Sequence, residues 1–216
     1  MIQDYLSRDI LMFGFAIPMT IMSCFWKMLA HYHGGILNAS KLGQSMDLSH
    51  NTIRKYLDIL EQTFMVRFLQ PLEINLKKRL IKSPIIYLHD TGFLHTLLEI
   101  DSATELYRHP VFGASWKGWC IEQLIAQMPF SQPYYYRTSS GEEIDPVLTK
   151  GCKKLIFEIK ASLMPHLSKG FADTIAVLKP ERTWVVCPMT DAGNPIKSGA
   201  RVTGISQCMK ELEDYH

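Results

Sequence analysis

The sequence predicts a mixed α+β and α/β protein in two parts: a helical N-terminal part, then a small mixed sheet flanked by helices. Three observations predict it. Between Thr20 and Phe64, apolar residues recur at helical spacing and are separated by polar, cap-forming residues. Two alternating runs follow, at residues 65–74 and 79–89. Beyond residue 111 a helix, three extended runs, a helix, a strand and a last helix succeed one another.

In order, Ile21, Phe25, Met28, Leu29 and Tyr32 form the stripe of a first helix that Gly34-Gly35 ends. Asn38 is placed to cap a second helix over residues 39–46, and Ser49 a third. Ile53, Tyr56, Leu57, Leu60 and Phe64 line one side of the third helix, leaving His50, Asn51, Arg54 and Lys55 on the other. Helix, helix, turn, helix and a two-stranded wing is the winged helix-turn-helix order. Its expected nucleic-acid contacts are Asn51, Arg54 and Lys55 on the third helix and Lys77, Lys78, Arg79 and Lys82 on the wing, cations set to track a phosphate backbone. Small three-helix units also serve as protein-docking modules, and a solvated charged face is the plain alternative. The expected organisation is a leading segment over 1–18, the winged helix over 19–89, a helical linker over 90–110 with Asp90 as a cap, and the mixed-sheet domain over 111–216.

Composition narrows the classes. A chain of 216 residues with 47% hydrophobic residues can bury a sizeable core, and its net charge of +2 excludes a histone-like polycation. The five cysteines are scattered and form no C-x-x-C pair, so neither a zinc ribbon nor a disulfide framework is expected, and reduced thiols point to a cytoplasmic protein. His31 and His33 lack partners at metal spacing and are expected to be surface or helix-end residues. Residues 10–26 carry no charge, but Gly14 and Pro18 interrupt them; a break at Pro18 is expected rather than a membrane span or a signal peptide.

The chemistry concentrates in residues 141–160. By period two, Glu158 and Lys160 share one strand face, and Asp145 ends an earlier extended run. A turn at Gly151 would fold a hairpin that sets Asp145 beside Glu158. Two carboxylates and a lysine converging in this way suit Mg²⁺ or Mn²⁺ and phosphodiester hydrolysis, with Asp145 and Glu158 on the metal and Lys160 on the attacking water. Tyr136, Arg137 and Thr138 would then line the phosphate approach. The plain alternative is a solvated strand face with a Glu–Lys pair.

The D…E-x-K pattern resembles the PD-(D/E)xK nuclease superfamily. Five blocks carry a wider resemblance: residues 31–71, 77–98, 109–125 (HPVFGASWKGWCIEQLI), 134–145 (YYYRTSSGEEID) and 157–162 (FEIKAS). Together they resemble, from about Gln3 to Val202, the C-terminal region of a prokaryotic AAA-type ATPase family with domain of unknown function 4143. That resemblance implies a P-loop ATPase domain, then a winged helix, then a PD-(D/E)xK nuclease-like domain. Two departures stand out. No G-x-x-x-x-G-K-[ST] occurs, so no ATP site is expected in this chain, which resembles a C-terminal fragment. The family shows a glutamate in a W-E-G block where this chain has Lys117. Glu122, five residues on, could serve the metal, but lies about 140° around the helix from position 117.

Three functions are expected to compete: a weak or inactive metal-dependent DNA nuclease, a non-catalytic DNA- or protein-binding module, and a remnant that docks on an ATPase partner or a second copy through the segment from Met1 to Ile17.

Overall fold

The computed structural model describes residues 17–73, 83–138, 141–189, 192–195, 199–213 and 215. The chain divides into two compact units, residues 1–68 with 86–115 and residues 69–85 with 116–216. The segment proposed for docking lies outside the described residues except for Ile17, as do Lys77, Lys78, Arg79 and Lys82. Among the described residues no helix is long and apolar enough to cross a membrane.

In the first unit, Pro18 precedes helix α1 (Met19–His31), and its carbonyl takes the amides of Ile21 and Met22 at 3.0 and 3.1 Å. The break expected at this proline is thus a helix start, where a missing N–H costs nothing. After α1 the chain turns at Gly34, whose φ of +75° favours glycine and where a Cβ would meet that of Ala114 at 3.0 Å. Helix α2 (Ala39–Met46) is capped by Asn38, which accepts from the Lys41 amide at 2.9 Å. Helix α3 (His50–Gln62) is capped by Ser49, which accepts from the Thr52 amide at 3.1 Å. We predict that Asn38→Ala and Ser49→Ala each cost about 1 kcal/mol, measured by urea unfolding; no loss would mean that water replaces the cap.

The α3 stripe folds inward as expected. Ile53, Tyr56, Leu57 and Leu60 join Phe25, Trp26, Leu29 and Leu42 in one core. Phe64 does not. It is 77% exposed in the turn after α3, where its φ is +56°, so the stripe ends one turn early. Strand β3 (Ile85–Leu88) lies between β1 (Gly35–Ile36) and β2 (Val66–Pro71). His33, expected at a helix end or the surface, follows α1 but is buried; its Nδ1 accepts the Leu88 amide at 3.0 Å, which leaves Nε2–H to donate to the Ala114 carbonyl at 3.1 Å.

Residues 90–110 carry two helices. Asp90 caps α4 (Thr91–Leu97) through the Gly92 and Phe93 amides, and α4 buries Leu94 and Leu97 in the same core. Ser102 caps α5 (Ala103–Arg108), which buries no residue.

Helix α6 (Phe112–Gln127) runs on into the second unit. There follow β4 (Gln132–Arg137), β5 (Glu143–Lys150), β6 (Lys153–Ile159), α7 (Phe171–Leu178), β7 (Arg182–Cys187), β8 (Ala192–Pro195), β9 (Arg201–Gly204) and α8 (Ile205–Glu213). Their sheet order is β4-β5-β6-β7-β9-β8. β4, β5 and β6 are antiparallel neighbours; β6, β7 and β9 run parallel. The parallel step from β6 to β7 needs a crossover, which α7 provides. Val147, Ile156 and Val185 pack with Phe171 and Leu178 of that helix, so the middle strands are covered there.

Candidate functional site

The β5–β6 hairpin sets the site. Lys150 pairs with Lys153 across a two-residue connection, Gly151-Cys152, with Gly151 at φ +60°. The register continues through Leu148 opposite Leu155 and Val147 opposite Ile156. Two residues beyond that last pair stand Asp145 and Glu158, within electrostatic reach of each other. Period two sets Glu143 on the same face as Asp145, and Lys160 on that of Glu158.

The space beside these carboxylates belongs to a lysine. From α6, the Lys117 ammonium donates to Asp145 Oδ1 at 2.8 Å and to Glu143 Oε1 at 3.4 Å. Glu143 is shared, since its Oε2 takes the Arg137 guanidinium at 2.9 Å. Lys160 Nζ sits 2.6 Å from Glu158 Oε1. Lys117 and Arg137 thus tie Glu143 and Asp145 into one ion-pair network, the Lys160–Glu158 pair lies within electrostatic reach of it, and Asp145 is only 2% exposed.

Burial works against both signs of charge. It pulls the Lys117 pKa down, but Asp145, Glu143 and Glu158 together outweigh it and hold the ammonium well above the ordinary lysine value. Burial pushes the Glu158 carboxyl up; Lys160 and Lys117 oppose that rise and Asp145 adds to it. Asp145, Glu158 and Lys117 thus sense one another directly.

These groups do not fit a resident Mg²⁺ or Mn²⁺. The Lys117 ammonium already takes the Asp145 oxygen that such an ion would need, and an ion placed beside it would meet a like charge. Among the described residues no three His, Cys, Asp or Glu side chains are grouped to hold a metal. Glu122, the other acid expected to serve a metal, stands five residues after Lys117 on α6.

The other expected site residues divide. Tyr136, expected to line a phosphate approach, is 1% exposed and belongs to the core. Arg137, expected to meet nucleic acid, is paired with Glu143, and Thr138 donates to Glu142. On α3 of the first unit, His50, Asn51, Arg54 and Lys55 are all exposed, as the apolar period required. Glu143 is the member of the network that sequence reasoning passed over, although its two-residue spacing from Asp145 was visible. The three buried cysteines offer no activated nucleophile: burial pushes the Cys187 thiol to about 11, and those of Cys120 and Cys208 higher.

Residues 1–104 match a domain of unknown function, DUF8612, and residues 112–207 match another, DUF4143. The chain is 39% identical over 187 residues to the uncharacterized protein Mb2031c of Mycobacterium bovis, covering 87% of this chain and 42% of that protein. The same figures hold for the uncharacterized protein Rv2008c of Mycobacterium tuberculosis. The chain thus spans less than half the length of these relatives. The crystal structure of protein VC1899 from Vibrio cholerae aligns with 13% identity and a TM-score of 0.28 over 91% of this chain and 50% of that one, too low a likeness to carry an argument.

Proposed function

For a chain matched in turn by DUF8612 and DUF4143, we propose a non-catalytic, duplex-DNA-binding module. In this reading the first unit is a winged helix whose α3 meets the phosphate backbone through Asn51, Arg54 and Lys55. The second is a restriction-endonuclease-like scaffold whose hydrolytic position is closed. The order α1-β1-α2-α3-β2-β3 supports the first assignment, and the order α6-β4-β5-β6-α7-β7 supports the second. The observation that carries the loss of catalysis is the Lys117 ammonium 2.8 Å from Asp145, bound where a metal-dependent hydrolase needs a divalent cation. An ATPase partner for this chain, which its resemblance to the AAA-type family implies, belongs to the same proposal.

Fluorescence anisotropy with a labelled duplex across a salt series tests the binding. We expect affinity to fall steeply with salt, and Arg54→Ala to lower the slope of log K against log salt by about 1. Undetectable binding at low salt would remove the DNA reading. Plasmid incubated with Mg²⁺ or Mn²⁺ should stay intact; nicking that Asp145→Ala abolishes would restore a nuclease.

A further inference from the structure

We propose that the hairpin end of the second unit's sheet carries a binding site for a small amphipathic anion, a carboxylate or sulfonate on an apolar chain. A cavity of about 350 Å³ opens there. That volume lies in the range of small-molecule sites. Its floor is apolar: Met128, Leu148 and Leu155 are each 5% exposed or less. Tyr215 forms a wall, fixed by the Arg182 guanidinium 5.1 Å from its ring centre and by the edge of Trp184.

The rim supplies the charge. Lys150 and Lys153 stand directly opposite each other across the hairpin and both line the cavity. Like charges at paired strand positions repel. Glu181 relieves one of them, at 3.3 Å from Lys153 Nζ, while among the described residues Lys150 has no carboxylate partner. An anion between the two ammoniums therefore removes a repulsion that the fold leaves standing, as its apolar part covers Leu148 and Leu155. Leu148 and Lys150 share one strand face with Leu155 and Lys153, so head and tail of such a ligand are served by a single surface.

The experiment titrates the whole 216-residue chain with sodium decanoate below its micelle concentration, with neutral decanamide as comparison, and follows backbone amide NMR shifts. Saturable shifts confined to Leu148, Lys150, Lys153, Leu155 and Tyr215 are expected. Lys150→Ala with Lys153→Ala should weaken decanoate about fivefold to tenfold, with most of the loss in Lys150→Ala alone, and should leave decanamide within about twofold. Both lysines are exposed, so the variants keep the fold and their spectra verify it. Absent or non-saturating shifts overturn the proposal. So does decanoate binding that the lysine substitutions leave unchanged, which would mark a merely greasy cleft.

Discussion

Replacing Lys117 by methionine is expected to lower the stability of the chain by about 3 kcal/mol, the low end of what removing one partner from a buried ion pair costs. Methionine keeps the unbranched apolar stem out to Cε and removes the ammonium group. Asp145, 2% exposed, then keeps its carboxylate without the ammonium at 2.8 Å, while Lys117 itself is a quarter exposed, which places the effect at the low end. Adding Asp145→Asn to Lys117→Met should recover most of the loss, since an amide needs no counter-charge; chemical denaturation of the four chains gives the coupling directly. A coupling within about 0.5 kcal/mol of zero would mean that solvent compensates the carboxylate and the network holds nothing.

The pH dependence has a definite sign for each partner. Lys117 titrates above the ordinary lysine value when folded, so its contribution is complete at neutral pH and is lost only as pH climbs through that higher value. Glu158 is raised as an acid. Between the ordinary glutamate value and its folded one, the native state binds the extra proton, and stability falls as pH rises through that window. Glu158→Gln should flatten this slope, measured as unfolding free energy from pH 4 to pH 8; an unchanged slope would assign it to another group.

Trp184→Ala is expected to cost about 3–5 kcal/mol, measured by urea unfolding. The indole is 1% exposed and stacks on Phe157 at 5.0 Å with 7° between the planes. Its Nε1–H donates to Glu211 Oε2 at 2.9 Å, tying β7 to α8. Trp184→Phe keeps a ring against Phe157 and loses the hydrogen bond. Because Glu211 retains Arg201 at 3.1 Å, that variant should lose only about 1–2 kcal/mol. Equal losses in the two variants would shift the weight from burial to the hydrogen bond.

Much of the fold was legible because it is written in local chemistry. Asn38, Ser49 and Asp90 announce helix starts with side-chain oxygens, and each caps the helix it was expected to cap. Gly151 announced a turn, and the hairpin there brings Asp145 within electrostatic reach of Glu158. Helix α5 was read as linker because Ala103–Arg108 buries no residue and so has no apolar stripe to see. Strand β8 was missed because Ala-Gly-Asn-Pro has little strand propensity; its pairing with β9 defines it. The candidate site was half legible. Two acids and Lys160 could be brought together on paper, and position 117 marked as a departure. Whether the Lys117 ammonium turned outward or inward depended on the phase of α6 against β5, a tertiary fact that spacing along one helix does not contain.

Lysine and glutamate codons differ only in their first base, so the charge at the centre of the network of Lys117, Glu143, Asp145 and Glu158 can reverse in a single mutational step. That step would exchange a tethered cation for a fourth acid, leaving Arg137 and Lys160 alone to balance four carboxylates. A lineage could cross between those two states without rebuilding any strand or helix.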